Sequence, residues 1–251
     1  MNTTNRNTLL FIFLSIGLVF LFLIDISVGA VAIPLKEVCN SLIGSGASKS
    51  SWEYIIMDYR LPKAIVAILV GMGLAISGLL MQTLFRNPLA GPYVLGLSSG
   101  ASLGVALVIL GSAFLPSFAS ELVLSSYGIV IASSLGSFLV LLAVLAVAQR
   151  LRDTMAILIV GLMFGSLTNA LVGTLTYFST AEQLQKFTFW SLGTLGNLSW
   201  TSIAILSVCV LIGLLLSLVS IKPLITLLFG EIYAKSLGLN CFRWFGCTTY
   251  R

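Results

Sequence analysis

The residues able to do chemistry in this 251-residue chain are few and far apart. Two cations, Arg60 and Lys63, stand three positions apart in DYRLPKA. One carboxamide, Asn169, lies inside a long apolar run, and one carboxylate, Asp25, lies late in another. There is no histidine, which removes His-based acid–base catalysis, Ser–His–Asp triads and the usual haem ligation. Cys39, Cys209, Cys241 and Cys247 have no zinc-like spacing and read as incidental. No catalytic residue, metal site or cofactor is expected. These side chains can bind and position instead. The Arg60–Lys63 pair is either incidental or aimed at an acidic partner. Asn169 either lines an aqueous path or joins two helices, because an unpaired carboxamide in hydrocarbon is costly.

The elements that must position these groups are membrane spans. The chain is 58% hydrophobic and 8% charged, against about 25% charged in a soluble domain. Its net charge of +5 is dispersed, with no basic run, so nucleic acid is not an expected partner. Six runs approach the roughly 20 apolar residues that a bilayer core requires. They are Leu9–Ile33, Leu61–Phe85, Tyr93–Leu110, Val123–Ala148, Met155–Phe178 and Ile203–Ser220. The expected fold is all-α, a polytopic transmembrane helical bundle. With the N-terminus in the cytoplasm, Arg6, Arg86, Arg150, Arg152, Lys222, Lys235, Arg243 and Arg251 lie inside. Lys36, Lys49, Arg60, Lys63 and Lys186 then lie outside. This modest excess of inner cations fits the positive-inside rule.

Between the second and third runs stands LFRNPLAGP, residues 84–92. Pro88 lacks an amide hydrogen and drives Asn87 away from helical geometry, so the second span ends there. Pro92 suits the first turn of the third, and Arg86 is placed at the inner headgroups. Small residues at four-residue spacing let helices approach closely in lipid. The third run carries Gly96, Gly100 and Gly104, and the second Gly71, Ala75 and Gly78. The fifth carries Gly161, Gly165, Asn169 and Gly173 on one stripe. Proton- or sodium-driven carriers usually need ionisable groups within the membrane. Asp25 is the one candidate, so the energy for any transport is expected from a partner.

Two segments read as docking surfaces. Arg60 and Lys63 are placed on the first turn of the second span, pinned by Pro62. KPLITLLFGEIYAKSLGLN, residues 222–240, reads as a short helix, a hinge at Gly230 and a second short helix, separated from the sixth span by Pro223. It either lies in the headgroup plane or fills a groove on a cytosolic protein.

The stretch RLPKAIVAILVGMGLAISGLLMQTLFRNPLAGPYVLGLSSGASLG closely resembles the hallmark region of the FecCD-like permeases. These are the membrane subunits of type II ABC importers for iron–siderophore, haem and cobalamin. The matching residues are Arg60 to Lys63, Gly71 to Gly78, Gln82, Asn87, Pro88, Leu89, Ala90, Pro92, Leu95, Gly96, Gly100 and Ala101. LLFGEIYAKSLGLN is similar to the family's cytoplasmic coupling segment, and FWSLGTLGNLSW fits a further family pattern. The resemblance implies that Arg60 and Lys63 meet acidic residues of an extracytoplasmic substrate-binding protein. Lysine in place of a second arginine keeps the charge and loses the bidentate fork. It implies that Gly230, Glu231, Ala234, Leu237 and Gly238 sit in a groove of a cytosolic ABC ATPase subunit. It also implies that the fifth run, with Gly161, Gly165, Asn169 and Gly173, borders a path between two permease subunits, as homodimer or heterodimer.

The function implied is passage of a metal chelate, first a ferric siderophore, with cobalamin or haem as alternatives, across a bacterial inner membrane. ATP would be hydrolysed on another subunit. Such permeases have about ten spans, and the six expected here would be the N-terminal part of that domain, residues 1–240. Residues 241–251, CFRWFGCTTYR, resemble nothing in the family and read as an atypical tail from truncation or a frameshift. A secondary carrier and a non-transporting scaffold or fragment are the rival readings.

Overall fold

The computed structural model describes residues 3–114, 124–151, 154–196 and 198–230, and beyond them Ala234, Ser236 and Leu237. Among the described residues every regular element is helical. Five helices among these residues are long and apolar enough to cross a bilayer. They are α1 (Thr3–Ser27), α3 (Ser50–Phe85), α5 (Ser126–Ala148), α6 (Thr154–Tyr177) and α8 (Trp200–Leu228). Between them lie α2 (Leu35–Ile43), α4 (Leu97–Ile109) and α7 (Ala181–Leu192). The long helices leave large apolar side chains uncovered, such as Phe11 at 74% and Phe13 at 73% exposure. Such surface is costly in water and costs little in hydrocarbon.

The expected third span differs from the prediction. Pro92–Leu95 forms a 3-10 turn, Gly96 takes a left-handed φ of 78°, and only then does α4 begin. The lengths of the two pieces add to about 28 Å, at about 2.0 Å per 3-10 residue and 1.5 Å per α residue. A broken element therefore stands where an unbroken span was expected.

The chain divides into two compact units, Met1–Gly73 with Thr194–Gly213, and Leu74–Gly193 with Leu214–Arg251. In the first unit, α1 stops at Ser27 rather than at the expected Ile33. The Ser27 hydroxyl donates to the Ile33 carbonyl at 2.5 Å, and the Ile33 amide donates back to Ser27 at 3.1 Å. α2 ends at Gly44, with a φ of 85°, in a Schellman arrangement. There the Gly44 amide donates to Ser41 at 3.1 Å and the Ser45 amide to Asn40 at 2.9 Å.

α3 begins at Ser50, well before the expected Leu61, so Pro62 is internal and buried. A proline there removes one helical hydrogen bond and crowds the preceding turn. The residues just before it, Ile55–Arg60, form a wider π turn that absorbs the mismatch. Ile26, Ile33, Val38, Ile56 and Ala64 make the core of this unit.

In the second unit, α4 packs on α5 by close backbone contact. A methyl group built on Gly104 would lie 2.2 Å from the Ala132 carbonyl oxygen, and one on Gly136 would lie 2.2 Å from that of Gly100. Only glycine permits that approach. The Ser137 hydroxyl, donating to the Leu97 carbonyl at 2.9 Å, bonds the same pair of helices. The glycines of α3 have no such role, since a methyl group built on Gly71, Gly73 or Gly78 would meet nothing within 4 Å. Two apolar clusters hold the unit. One joins Phe85, Ala90 and Leu95 to Val140, Val144 and Leu158. The other joins Val105, Ala106, Ile109 and Leu110 to Val172 and Phe187.

α7 was not foreseen. It starts with a capping box in which the Thr180 hydroxyl accepts from the Gln183 amide and the Gln183 side chain accepts from the Thr180 amide. α8 runs unbroken to Leu228 with Pro223 inside it, so the expected break after Ser220 is absent. Pro223 is buried, and its carbonyl accepts from the Thr226 hydroxyl at 2.8 Å.

Candidate functional site

The 3-10 turn, α4 and α6 enclose a cleft of about 420 Å³. Tyr93, Val94, Gly96, Ser98, Ser99 and Ser102 line one side, and Gly161, Leu162, Gly165, Ser166 and Asn169 the other. No charged side chain is among them. Gly161 admits the 3-10 turn, because a methyl group there would lie 2.5 Å from the Val94 carbonyl oxygen. Ser99 donates to Gly96 at 2.9 Å and Ser166 to Leu162 at 3.0 Å. Their hydroxyl protons are thus held by their own helices, and their oxygen lone pairs remain as acceptors. Asn169 is exposed and lines the cleft. Gly161 and Gly165 also line it, whereas Gly173 is exposed with nothing within 4 Å. Such a wall can hydrate or brush past a polar cargo, and it offers no charge to trap one. The serines went unread in the sequence. Their signal was the i, i+4 pair Ser98 and Ser102 beside the glycine stripe.

Arg60 and Lys63 part company. The Arg60 guanidinium donates to the Ile26 carbonyl at 2.7 Å, to Ser27 at 2.8 Å and also to Val31. It therefore caps the carboxyl end of α1, where a cation is favoured. Gly29 leaves room for it, since a methyl group there would lie 2.7 Å from the guanidinium. Lys63 is exposed. Neither residue sits on the first turn of its helix, where both were expected, because that helix begins at Ser50.

Near this site, α2 is fastened by Glu37, whose carboxylate accepts from the Ser48 amide and hydroxyl, both at 2.7 Å. The Ser48 amide, then its hydroxyl, hold the Glu37 carboxyl below its ordinary pKa. On α7, the Lys186 ammonium lies 2.8 Å from Glu182 and lowers that carboxyl in the same sense.

At the turn of residues 82–92, α3 ends at Phe85 and Arg86 takes a left-handed φ of 48°. The Arg86 amide donates to Thr83 at 3.3 Å and the Asn87 amide to Gln82 at 3.1 Å. This is the Schellman pattern with arginine where glycine is usual. The Asn87 side-chain oxygen accepts from the Leu89 amide at 2.9 Å, and Ala90 is buried. Pro88 and Leu89 are exposed, and Pro92 opens the 3-10 turn. The Arg86 guanidinium donates to the Leu227 carbonyl in the last turn of α8, a role that its expected placement among headgroups missed.

Beyond α8, Gly230 has a φ of 111°. The Ala234 amide donates to its carbonyl at 3.0 Å, and Ala234 is fully buried while Leu237 is 58% exposed. Glu231 and Gly238, expected at the same surface, lie outside the described residues, as does the 241–251 tail. Among the described residues no group of carboxylates and thiols is arranged to hold a metal.

The chain matches the FecCD transport family over residues 17–249. It is 34% identical over 241 residues to the Hemin transport system permease protein HmuU of Yersinia pestis, covering 96% of this chain and 69% of that one. It is 36% identical over 193 residues to the Vitamin B12 import system permease protein BtuC of Escherichia coli, covering 76% of this chain and 56% of that one. This chain therefore spans about two thirds of the first and just over half of the second. It also superimposes, with a TM-score of 0.73 and 28% identity, on a solved inward-facing conformation of a metal-chelate type ABC transporter. That alignment covers 92% of this chain and 68% of the other.

Proposed function

This chain belongs to the FecCD transport family, and from that premise we propose that it is a membrane permease subunit of an ATP-driven importer of metal chelates. The observation that carries the reading is the uncharged, hydroxyl-lined cleft between α4 and α6. A conduit of this kind binds its cargo weakly. Selection then falls to an external binding protein and energy to a separate ATPase, which shifts the bundle between two arrangements. The cargo is an iron chelate, either a ferric siderophore or hemin, with cobalamin as the alternative. The hemin permease, matched along nearly the whole chain, supports iron, and the vitamin B12 permease supports the alternative. The proposed setting is a bacterial inner membrane with the N-terminus in the cytoplasm and a second permease subunit alongside.

Lys63 is the exposed cation proposed to meet the binding protein, with Arg60 holding the helix ends beneath it. The segment at Gly230, Glu231, Ala234, Leu237 and Gly238 is proposed to engage the ATPase, with Leu237 outward and Ala234 inward. The test is uptake by vesicles holding this chain, its ATPase and its binding protein, with radiolabelled ferric siderophore, hemin and cobalamin offered in turn. Accumulation of one iron chelate is expected only with ATP and an active ATPase. Accumulation with a hydrolysis-dead ATPase, abolished by an uncoupler, would establish a secondary carrier instead. Assembly with all partners but no flux would establish a scaffold.

A further inference from the structure

Among the described residues, the backbone takes a positive φ at Gly44, Gly46, Gly96, Gly193, Gly230 and Arg86. Arginine is the sole side chain in that company. The Schellman turn that ends α2 shows the ordinary solution with Gly44, and the turn that ends α3 has the same two hydrogen bonds with Arg86. A left-handed non-glycine residue is strained, and such strain persists where the surroundings hold it in place. Here the surroundings are visible, because the guanidinium is bonded to the Leu227 carbonyl. That carbonyl belongs to the final turn of α8, three residues before Gly230.

On its other side, the Arg86 turn runs directly into the cleft. Ala90 is buried in one apolar cluster with Phe85 and Leu95, and Tyr93 and Val94 line the cleft mouth. The turn is short, and its amides are bonded at Asn87, Leu89 and Ala90, so a displacement at Arg86 reaches Tyr93 with little slack. We propose that Arg86 is a positioning residue that ties the carboxyl end of α8 to the cleft mouth, so that motion at the end of α8 is delivered to the conduit. The clause about delivery rests on the importer reading above; the tie itself does not.

The tie is tested without transport by spin labels at the exposed positions Leu89 and Leu228, introduced as L89C and L228C with the native cysteines replaced by serine. Arg86→Gly keeps the left-handed turn and removes the guanidinium, so folding is preserved while the tie is lost. The distance distribution should broaden in Arg86→Gly and narrow again in Arg86→Lys. An unchanged distribution in Arg86→Gly would overturn the tie. Delivery is tested in the assembled complex as cargo moved per ATP hydrolysed. In Arg86→Gly that ratio should fall about tenfold while hydrolysis stays within about twofold of the original. An unchanged ratio, whether both rates hold or both fall together, would refute delivery and leave Arg86 a plain helix cap. An unsubstituted complex without ATP-dependent uptake would sink the importer reading, and the label result would still decide the tie.

Discussion

At the scale of single residues, the two cations that look alike in DYRLPKA do different work. Arg60 spends its guanidinium on three carbonyls at the end of α1, whereas Lys63 is exposed. Arg60→Ala should therefore lower the thermal stability of the purified chain by an amount on the order of 1–3 kcal/mol, as expected when carbonyls lose a charged donor. Lys63→Glu should leave stability within about 0.5 kcal/mol, as for a surface change. It should weaken binding-protein association about tenfold at low salt and less at high salt. Unfolding curves and binding isotherms at two salt concentrations check both halves. Equal effects of the two substitutions on binding, with no change in stability, would contradict the division of labour. Spacing alone could not separate these residues, because what distinguishes them is the fold-back at residues 28–34, which carries no periodic signal.

At the scale of elements, the glycine stripes divide in the same way. Gly104 faces the backbone of α5, where an added methyl would lie 2.2 Å from the Ala132 carbonyl oxygen, while Gly71 faces open space. Gly104→Val should cost about 1–3 kcal/mol or more by overpacking. Gly71→Ala should be neutral or should stabilise by up to about 1 kcal/mol through helix propensity. Thermal denaturation in detergent distinguishes them, and a neutral Gly104→Val would refute the tight crossing. Both stripes read alike in sequence, since a four-residue spacing reports a smooth face and not what lies against it. The prolines misled for a related reason. Pro62 and Pro223 are ordinary boundary signals. A π turn accommodates Pro62 in α3, and α8 runs on through Pro223. The start of α7 was legible in Thr180 and Gln183, a capping pattern that went unread.

At the scale of the whole molecule, the alternation of apolar runs was legible from composition and length, because a bilayer imposes both. Five of the six runs are long helices, and the third is broken at Gly96, where a left-handed residue and a close neighbour override the run. The absolute direction of the chain in the membrane rests on the distribution of cations, and labelling can check it. In a variant with its four native cysteines replaced by serine, a cysteine in place of Lys63 should react with an impermeant maleimide from outside intact cells. A cysteine in place of Arg150 should react only after permeabilisation. The reverse pattern would invert the orientation. Most of the cleft went unread, since the i, i+4 pair Ser98 and Ser102 gains meaning only when a second helix brings Ser166 and Asn169 to the same cleft.

The widened turn at Ile55–Arg60 has a geometric consequence. It holds one residue more than an α turn, so it works as a phase shifter. Deleting one residue there would leave a continuous α-helix with Trp52 and Glu53 facing much as they do now, whereas tightening the turn to α geometry with its length kept would swing both about 100° around the axis. Glu53 holds the Ala47 amide, so the strap between α2 and α3 would be dragged round with it. In this one stretch, the width of a single turn decides which compass bearing the arm faces.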